Sequence, residues 1–297
     1  MIFRRIGNPH RQLILALIIV VLTLTTITGV YFSQIREIKE VYLKSVDYAE
    51  VLILIDNNRN NENLKAPWGI SILVRTPFNI VLFDVGPDPA DLKYNSKILG
   101  IDLALIDFVV ISHEHWDHIG GLRYFAELKK RIAVYVPAHM SLTSKSWIRK
   151  MNFSLIEVDR TTTLAPGVAI IGEVYGPPYE QALAVNVRNL GLIIIVGCSH
   201  PGVEKFVEKA VEDFNLRPYA VIGGFHLTGA SINKLNDTIK KLIDLGVRRI
   251  FPIHCSGERI RDLLRTKWSE YYGDGHVGLK LMFKKLNSPV SGKADSN

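Results

Sequence analysis

The residues with the clearest chemical capacity stand together at His113-Glu114-His115-Trp116-Asp117-His118. Three of the chain's nine histidines and an aspartate fall within these six positions, a density that chance does not readily supply. Imidazole nitrogen and carboxylate oxygen are suitable ligands for Zn2+, and iron or manganese accept the same donors. In extended backbone, residues two apart point the same way, so His113 and His115 can face one ion. Once the chain turns toward a helix, Asp117 and His118 can face a second ion beside the first. Gly120-Gly121 then lets the backbone pass close beneath such a site.

A catalytic zinc ion takes about three protein ligands, so the cluster needs partners from elsewhere in the chain. His200, His226 and His254 each follow an apolar run that reads as a strand, in Gly197-Cys198-Ser199-His200, Gly223-Gly224-Phe225-His226 and Pro252-Ile253-His254-Cys255. His10, His139 and His276 have no such placement and read as structural or surface residues. Asp84 closes Val81-Leu82-Phe83 and has two readings: a carboxylate that accepts the free ring N–H of a ligating histidine, or a turn former beside Gly86. Cys198 and Cys255 are too few for a disulfide scaffold, and as thiol ligands, a disulfide or small buried side chains they stay open. The run from Gly197 to Gly202 does not fit a serine-nucleophile elbow, because its second glycine comes one residue too late.

The elements that must position these residues follow from the apolar pattern. A short buried strand over 107–111 leads into the cluster, and a helix over 119–130 leads out of it. Strands are expected over 41–46, 51–55, 132–136, 168–171 and 191–196, with a hairpin joining 68–74 to 79–85 around Thr76-Pro77. The Asn-rich run 56–63 reads as a plain connecting loop. Helical periodicity is clearest over 203–214, 232–245 and 259–267. Strands come first in hairpins and later alternate with helices, which predicts sheets sandwiched by helices.

The 297 residues are 47% hydrophobic, enough for a sizeable core, and carry a net charge of +7. That balance suits an anionic small-molecule substrate or a membrane surface. The basic residues are scattered without interleaved aromatics, which speaks against nucleic acid. Oligomeric state is not encoded in any visible pattern. Residues 13–32 form an uncharged apolar run of about twenty residues, the length of a membrane-spanning helix. Arg4, Arg5 and Arg11 precede it and no small-residue cleavage site follows, so a retained single-pass anchor is expected rather than a signal peptide. The expected order is a basic segment 1–12, an anchor 13–32, a linker 33–40, a catalytic domain 41–286 on the extracytoplasmic side, and a disordered tail 287–297.

From about residue 41 to 283 the motif order resembles the metallo-β-lactamase superfamily. Leu82-Phe83-Asp84-Val85-Gly86 is similar to its first motif, and residues 112–122 are similar to its H-x-H-x-D-H signature. The trio ending in His200, His226-Leu227 and His254-Cys255-Ser256-Gly257 is similar to one branch, which includes the archaeal dihydropterin–ribofuranosylaminobenzene phosphate synthases and many metal-dependent hydrolases. The resemblance implies an α+β fold, an αββα four-layer sandwich with metals at the edge between two sheets. It implies that His113, His115 and His200 hold one ion, that Asp117, His118 and His254 hold another, and that His226 lies beside the substrate or the ligands. The chain departs from the family pattern twice. No histidine occurs between Met140 and Ser199, so His200 stands in for the usual mid-chain ligand, and Cys198 stands where many relatives have a bridging aspartate. The implied activity is hydrolysis by metal-bound hydroxide at a mono- or binuclear site, with Asp117 orienting the nucleophile or taking its proton. The alternatives are a lyase or condensing reaction on a phosphorylated pterin-like substrate, and a membrane-anchored metal- or ligand-binding module without turnover.

Overall fold

The strands pair into a seven-stranded and a six-stranded sheet. The first comprises β1 (Tyr48–Ile55), β2 (Ser71–Arg75), β3 (Ile80–Phe83), β4 (Phe108–Val110), β5 (Ala133–Pro137) and β6 (Ser154–Val158), with the last strand of the chain, Lys280–Lys284, added beside β1. The second comprises β7 (Thr162–Ala165), β8 (Val168–Tyr175), β9 (Tyr179–Val187), β10 (Gly191–Val196), β11 (Pro218–Gly224) and β12 (Arg249–Ile253), in spatial order β12-β11-β10-β9-β8-β7. This computed structural model describes residue 23, residues 40–128 and residues 131–285. Apart from residue 23, the expected anchor 13–32 lies outside the described residues, as do most of the linker and the tail 287–297. Among the described residues no helix is long and apolar enough to cross a membrane.

The uninterrupted apolar run of β10 explains the layering. Ile193 and Ile195 point into the space between the sheets, where they meet Val51, Ile53 and Phe83 of the first sheet. Leu192, Ile194 and Val196 point the other way, onto the helices Val203–Phe214, Ile232–Asp244 and Glu258–Lys267. On the far side of the first sheet, Leu73, Leu82 and Val109 pack against Leu92, Phe125 and Ile148 from other helices. Each such aliphatic side chain, once fully buried, contributes about 1.5–3 kcal/mol. The four layers expected, αββα, are present. Each sheet mixes hairpins with parallel crossovers: β3-β4-β5-β6 and β10-β11-β12 run parallel. The class is therefore α/β with two mixed sheets, where α+β was expected.

Several local expectations are corrected. Residues 41–46 form no strand; only Val46 bridges Val187, and Leu43 is held by Asn186 Nδ2 on its carbonyl. The helix expected over 119–130 is split into Trp116–Ile119 and Leu122–Glu127, with Lys129 and Lys130 outside the described residues. A Cβ on Gly120 would lie 1.9 Å from the Pro87 carbonyl oxygen, and one on Gly121 would lie 2.0 Å from that of Val85. The glycine pair thus lets the chain carrying the histidines lie directly on the segment that follows β3. Two helices had no clear periodicity, Pro89–Ile98 and Leu142–Arg149, nor did strand β9. The first buries only Leu92, Asn95 and Ser96, and its visible signals were the cap at Asp88 and the proline behind it.

Candidate metal centre

Parallel strands place their carboxyl ends at one edge, and the chemistry gathers there. Asp84 follows β3, His113 follows β4, Cys198 and His200 follow β10, His226 follows β11, and His254 follows β12. Because β9 runs antiparallel to β10, its second residue, Glu180, also reaches this edge. Asp84, Ser199, His226 and His254 all adopt left-handed backbone, with φ of 53°, 58°, 50° and 50°. The other non-glycine residues with positive φ among those described are asparagines, which tolerate it. Backbone strain is therefore concentrated at this edge.

Four imidazoles are anchored by one ring nitrogen and present the other. His118 Nδ1 lies 2.7 Å from Asp84 Oδ2. Ser112 donates to the same carboxylate from its hydroxyl and from its amide, both at 2.7 Å. Having donated its proton to Asp84, the Ser112 hydroxyl can accept from His113 Nδ1, 2.9 Å away. His200 Nδ1 lies 3.0 Å from Glu180 Oε2, and His254 Nδ1 lies 3.0 Å from Asn57 Oδ1. An acceptor at Nδ1 favours the tautomer with the proton there, the form whose Nε2 can bind an ion. Asp84 thus meets a ring nitrogen from left-handed backbone, so features of both its readings are present.

The converging atoms form three sets, each with ligand atoms within 4.8 Å of one another: His113-Cys198-His200, His118-Cys198-His254 and Cys198-His226-Cys255. His115 and Asp117 border the first two. The His115 ring lies 4.6 Å from that of His113 and 4.9 Å from that of His200, and Asp117 Oδ2 lies 3.2 Å from His254 Nε2 and 3.6 Å from His118 Nε2. His226 packs its ring 4.5 Å from His200. Cys198, expected beside the ligands, is a donor in every set. Both cysteines are free thiols, so the disulfide reading is overturned. His139 pairs with Glu173, and His276 with Asn60 and the Val277 carbonyl, in keeping with their peripheral reading.

The electrostatics differ from ring to ring. Burial, reinforced by the neighbouring rings, holds the His113 pKa well below the ordinary histidine value. Burial works against a charged His118 too, but the Asp84 carboxylate outweighs it and raises that pKa. Burial opposes ionised Glu180 and Asp117 as well. His200 and backbone amides nonetheless hold Glu180 down, and His254 and His118 hold Asp117 at about 2. His254 Nε2 is buried and, despite the nearby Asp117 oxygen, makes no hydrogen bond. A buried ring nitrogen that no hydrogen bond satisfies suits a cation, so the residues fit the metal that the motif implies.

Sequence reasoning found Asp84 but missed Glu180 and Asn57 among the residues that anchor the rings. Glu180 is fully buried and accepts from the amides of Cys198, Ser199 and His200 at 2.7, 2.7 and 2.9 Å. The Asn-rich loop is more than a connection: Asp56 accepts the His254 amide at 2.8 Å, and Asn57 grips the ring. Asn95 stitches that region by donating to the carbonyls of Leu54 and Lys65 and accepting from the Lys65 amide. An acid just before the apolar run Ala182–Val185 was the available signal for Glu180.

Comparison with known proteins agrees with this geometry. Residues 79–174 match the family model of the beta-lactamase superfamily domain. The chain is 28% identical to the 7,8-dihydropterin-6-methyl-4-(beta-D-ribofuranosyl)-aminobenzene-5'-phosphate synthase of Methanocaldococcus jannaschii, over 82% of this chain and 96% of that protein. Among solved structures it is similar to Tm1679, a metal-dependent hydrolase of the beta-lactamase superfamily, with 26% identity and a TM-score of 0.68 over 80% of this chain and 100% of that one. It shares its fold with zinc-bound PqqB from Methylobacterium extorquens, at 15% identity and a TM-score of 0.53 over 78% of this chain and 99% of that one. The two mixed sheets, the glycine-backed histidine cluster and these likenesses together make the chain similar to the metallo-β-lactamase superfamily, whose domain model its residues 79–174 match.

Proposed function

We propose that the chain is a metal-dependent hydrolase acting on a small, anionic or ester-like substrate such as a phosphoester or lactone. The observation that carries this reading is the set of four imidazoles, each tied through Nδ1 to a side-chain oxygen and each contributing a donor to the sets that converge on Cys198. His113, His115 and His200 would hold one ion, and Asp117, His118 and His254 a second. A divalent ion supplies Lewis acidity there and lowers the pKa of water toward neutrality. The chain's own residues do the rest. Asp117 Oδ2 is ionised above pH about 2 and accepts the proton released as water attacks. The buried Asp84 and Glu180 carboxylates keep the ligand rings aimed, so that little reorganisation is needed as charge develops. His226, exposed like His115, packs against His200 and can donate to a substrate oxygen.

A second reading is favoured by the methanogen relative: condensation of a dihydropterin with a ribofuranosylaminobenzene phosphate. The run 13–32 would tether either activity to a membrane, with the catalytic residues outside the cytoplasm. The deciding experiment is turnover by the metal-loaded chain on a panel of phosphoesters and lactones, and on the dihydropterin pair. Hydrolysis of the panel without condensation supports the first reading, and condensation alone replaces it. His115→Ala and Asp117→Ala variants that fold and turn over at the parent rate would sink both.

A further inference from the structure

Cys198 is the one side chain common to all three converging sets. Its sulfur is buried, 3.3 Å from His118 Nε2, and lies within 4.8 Å of donor nitrogens on His113, His200 and His254. The residue is fixed from behind, because its amide donates to the buried Glu180 carboxylate at 2.7 Å. A thiolate about 2.3 Å and an imidazole about 2.0–2.1 Å from one tetrahedral ion stand roughly 3.5 Å apart, close to the His118–Cys198 separation.

From this geometry we infer that the Cys198 sulfur is a ligand shared by both ions, a thiolate bridge between the His113–His200 and His118–His254 sets. On binding, the S–H bond is lost, its proton passes to solvent, and the sulfur lone pairs form two metal–sulfur bonds with no change of oxidation state. Cys255 is the other sulfur nearby, but it serves only the third set and turns toward the Cys198 carbonyl oxygen, 3.6 Å away. A bridging thiolate makes the pair of sites soft. It selects zinc, cobalt or cadmium over manganese and magnesium, which carboxylate-bridged sites accept more readily. This deepens the metal-dependent reading and rests on it.

The test is a titration of the full-length chain with Co2+, watched in two spectral regions. Visible d–d bands report that cobalt is bound, and a near-ultraviolet charge-transfer band reports a sulfur–cobalt bond. The expected result is a charge-transfer band that grows with the first equivalent and grows again with the second. It should vanish in Cys198→Ala and persist in Cys255→Ala. Cys198→Asp should keep two cobalt ions without the band and bind manganese more tightly relative to zinc than the parent does. Circular dichroism on each variant checks that it has folded, with Cys198→Ser as the substitute if the alanine variant has not. A band that saturates at one equivalent overturns the bridge. So does a band that follows Cys255, or d–d bands with no charge transfer; each of these leaves the metal-dependent reading standing. Absence of d–d bands altogether removes both.

Discussion

At the scale of residues, the histidines are only as good as their supports. Asp84 and Glu180 touch no reacting group, but each holds a ring nitrogen, so Asp84→Ala and Glu180→Ala should weaken metal binding about 10–100-fold. Competition with a chromophoric chelator measures this, and parent affinity in both variants would contradict these anchoring roles. The metal-free chain should also show a particular pH dependence. With the folded His113 pKa well below 6.5, the unfolded chain protonates this ring first. Its contribution to stability is therefore complete above pH 6.5 and is lost as the pH falls from there toward the folded value. His118 has the opposite sign: its pKa is raised, so its contribution is complete below 6.5 and is lost as pH rises through the folded value. In thermal melts of the metal-free chain, His113→Gln should flatten the fall in stability below pH 6.5, and an unaltered slope would count against the assignment. The cluster itself was legible in the sequence because its members are neighbours. Asn57 and His254, 197 positions apart, were not legible as partners, since only the fold of the two sheets brings them together.

At the scale of elements, legibility followed burial. Strand β10 is sunk on both faces and reads as an unbroken apolar run, and the helix Val203–Phe214 shows its period through Val203, Phe206, Val207, Ala210 and Phe214. Strand β6 is mostly exposed and the helix Pro89–Ile98 buries two polar side chains, so neither leaves a periodic trace. Gly120-Gly121 was legible as a close approach, and the structure shows against what. Gly120→Ala drives a methyl group to 1.9 Å from the Pro87 oxygen, so the segment between β3 and the cluster must part. A loss of about 1–3 kcal/mol or more is expected in denaturant unfolding, with weakened metal binding alongside. A variant of parent stability would show that the two segments are not pressed together.

At the scale of the whole molecule, the two sets of parallel strands turn their carboxyl ends to one edge, so residues from 84 to 254 meet there. The apolar run 13–32 adds a prediction of a different kind. The full chain should sediment with membranes and resist extraction at high salt, whereas a chain beginning at residue 34 should not; equal behaviour of the two would remove the anchor. Binding of metal by the cluster is the claim on which the remainder depends. The most direct measurement is elemental mass spectrometry of the full chain purified under metal-replete conditions, beside a folded His113→Ala variant. Close to two ions per chain, with zinc predominant and the number falling in the variant, is the predicted result. A chain that carries no metal, or an occupancy that the variant leaves unchanged, would contradict it.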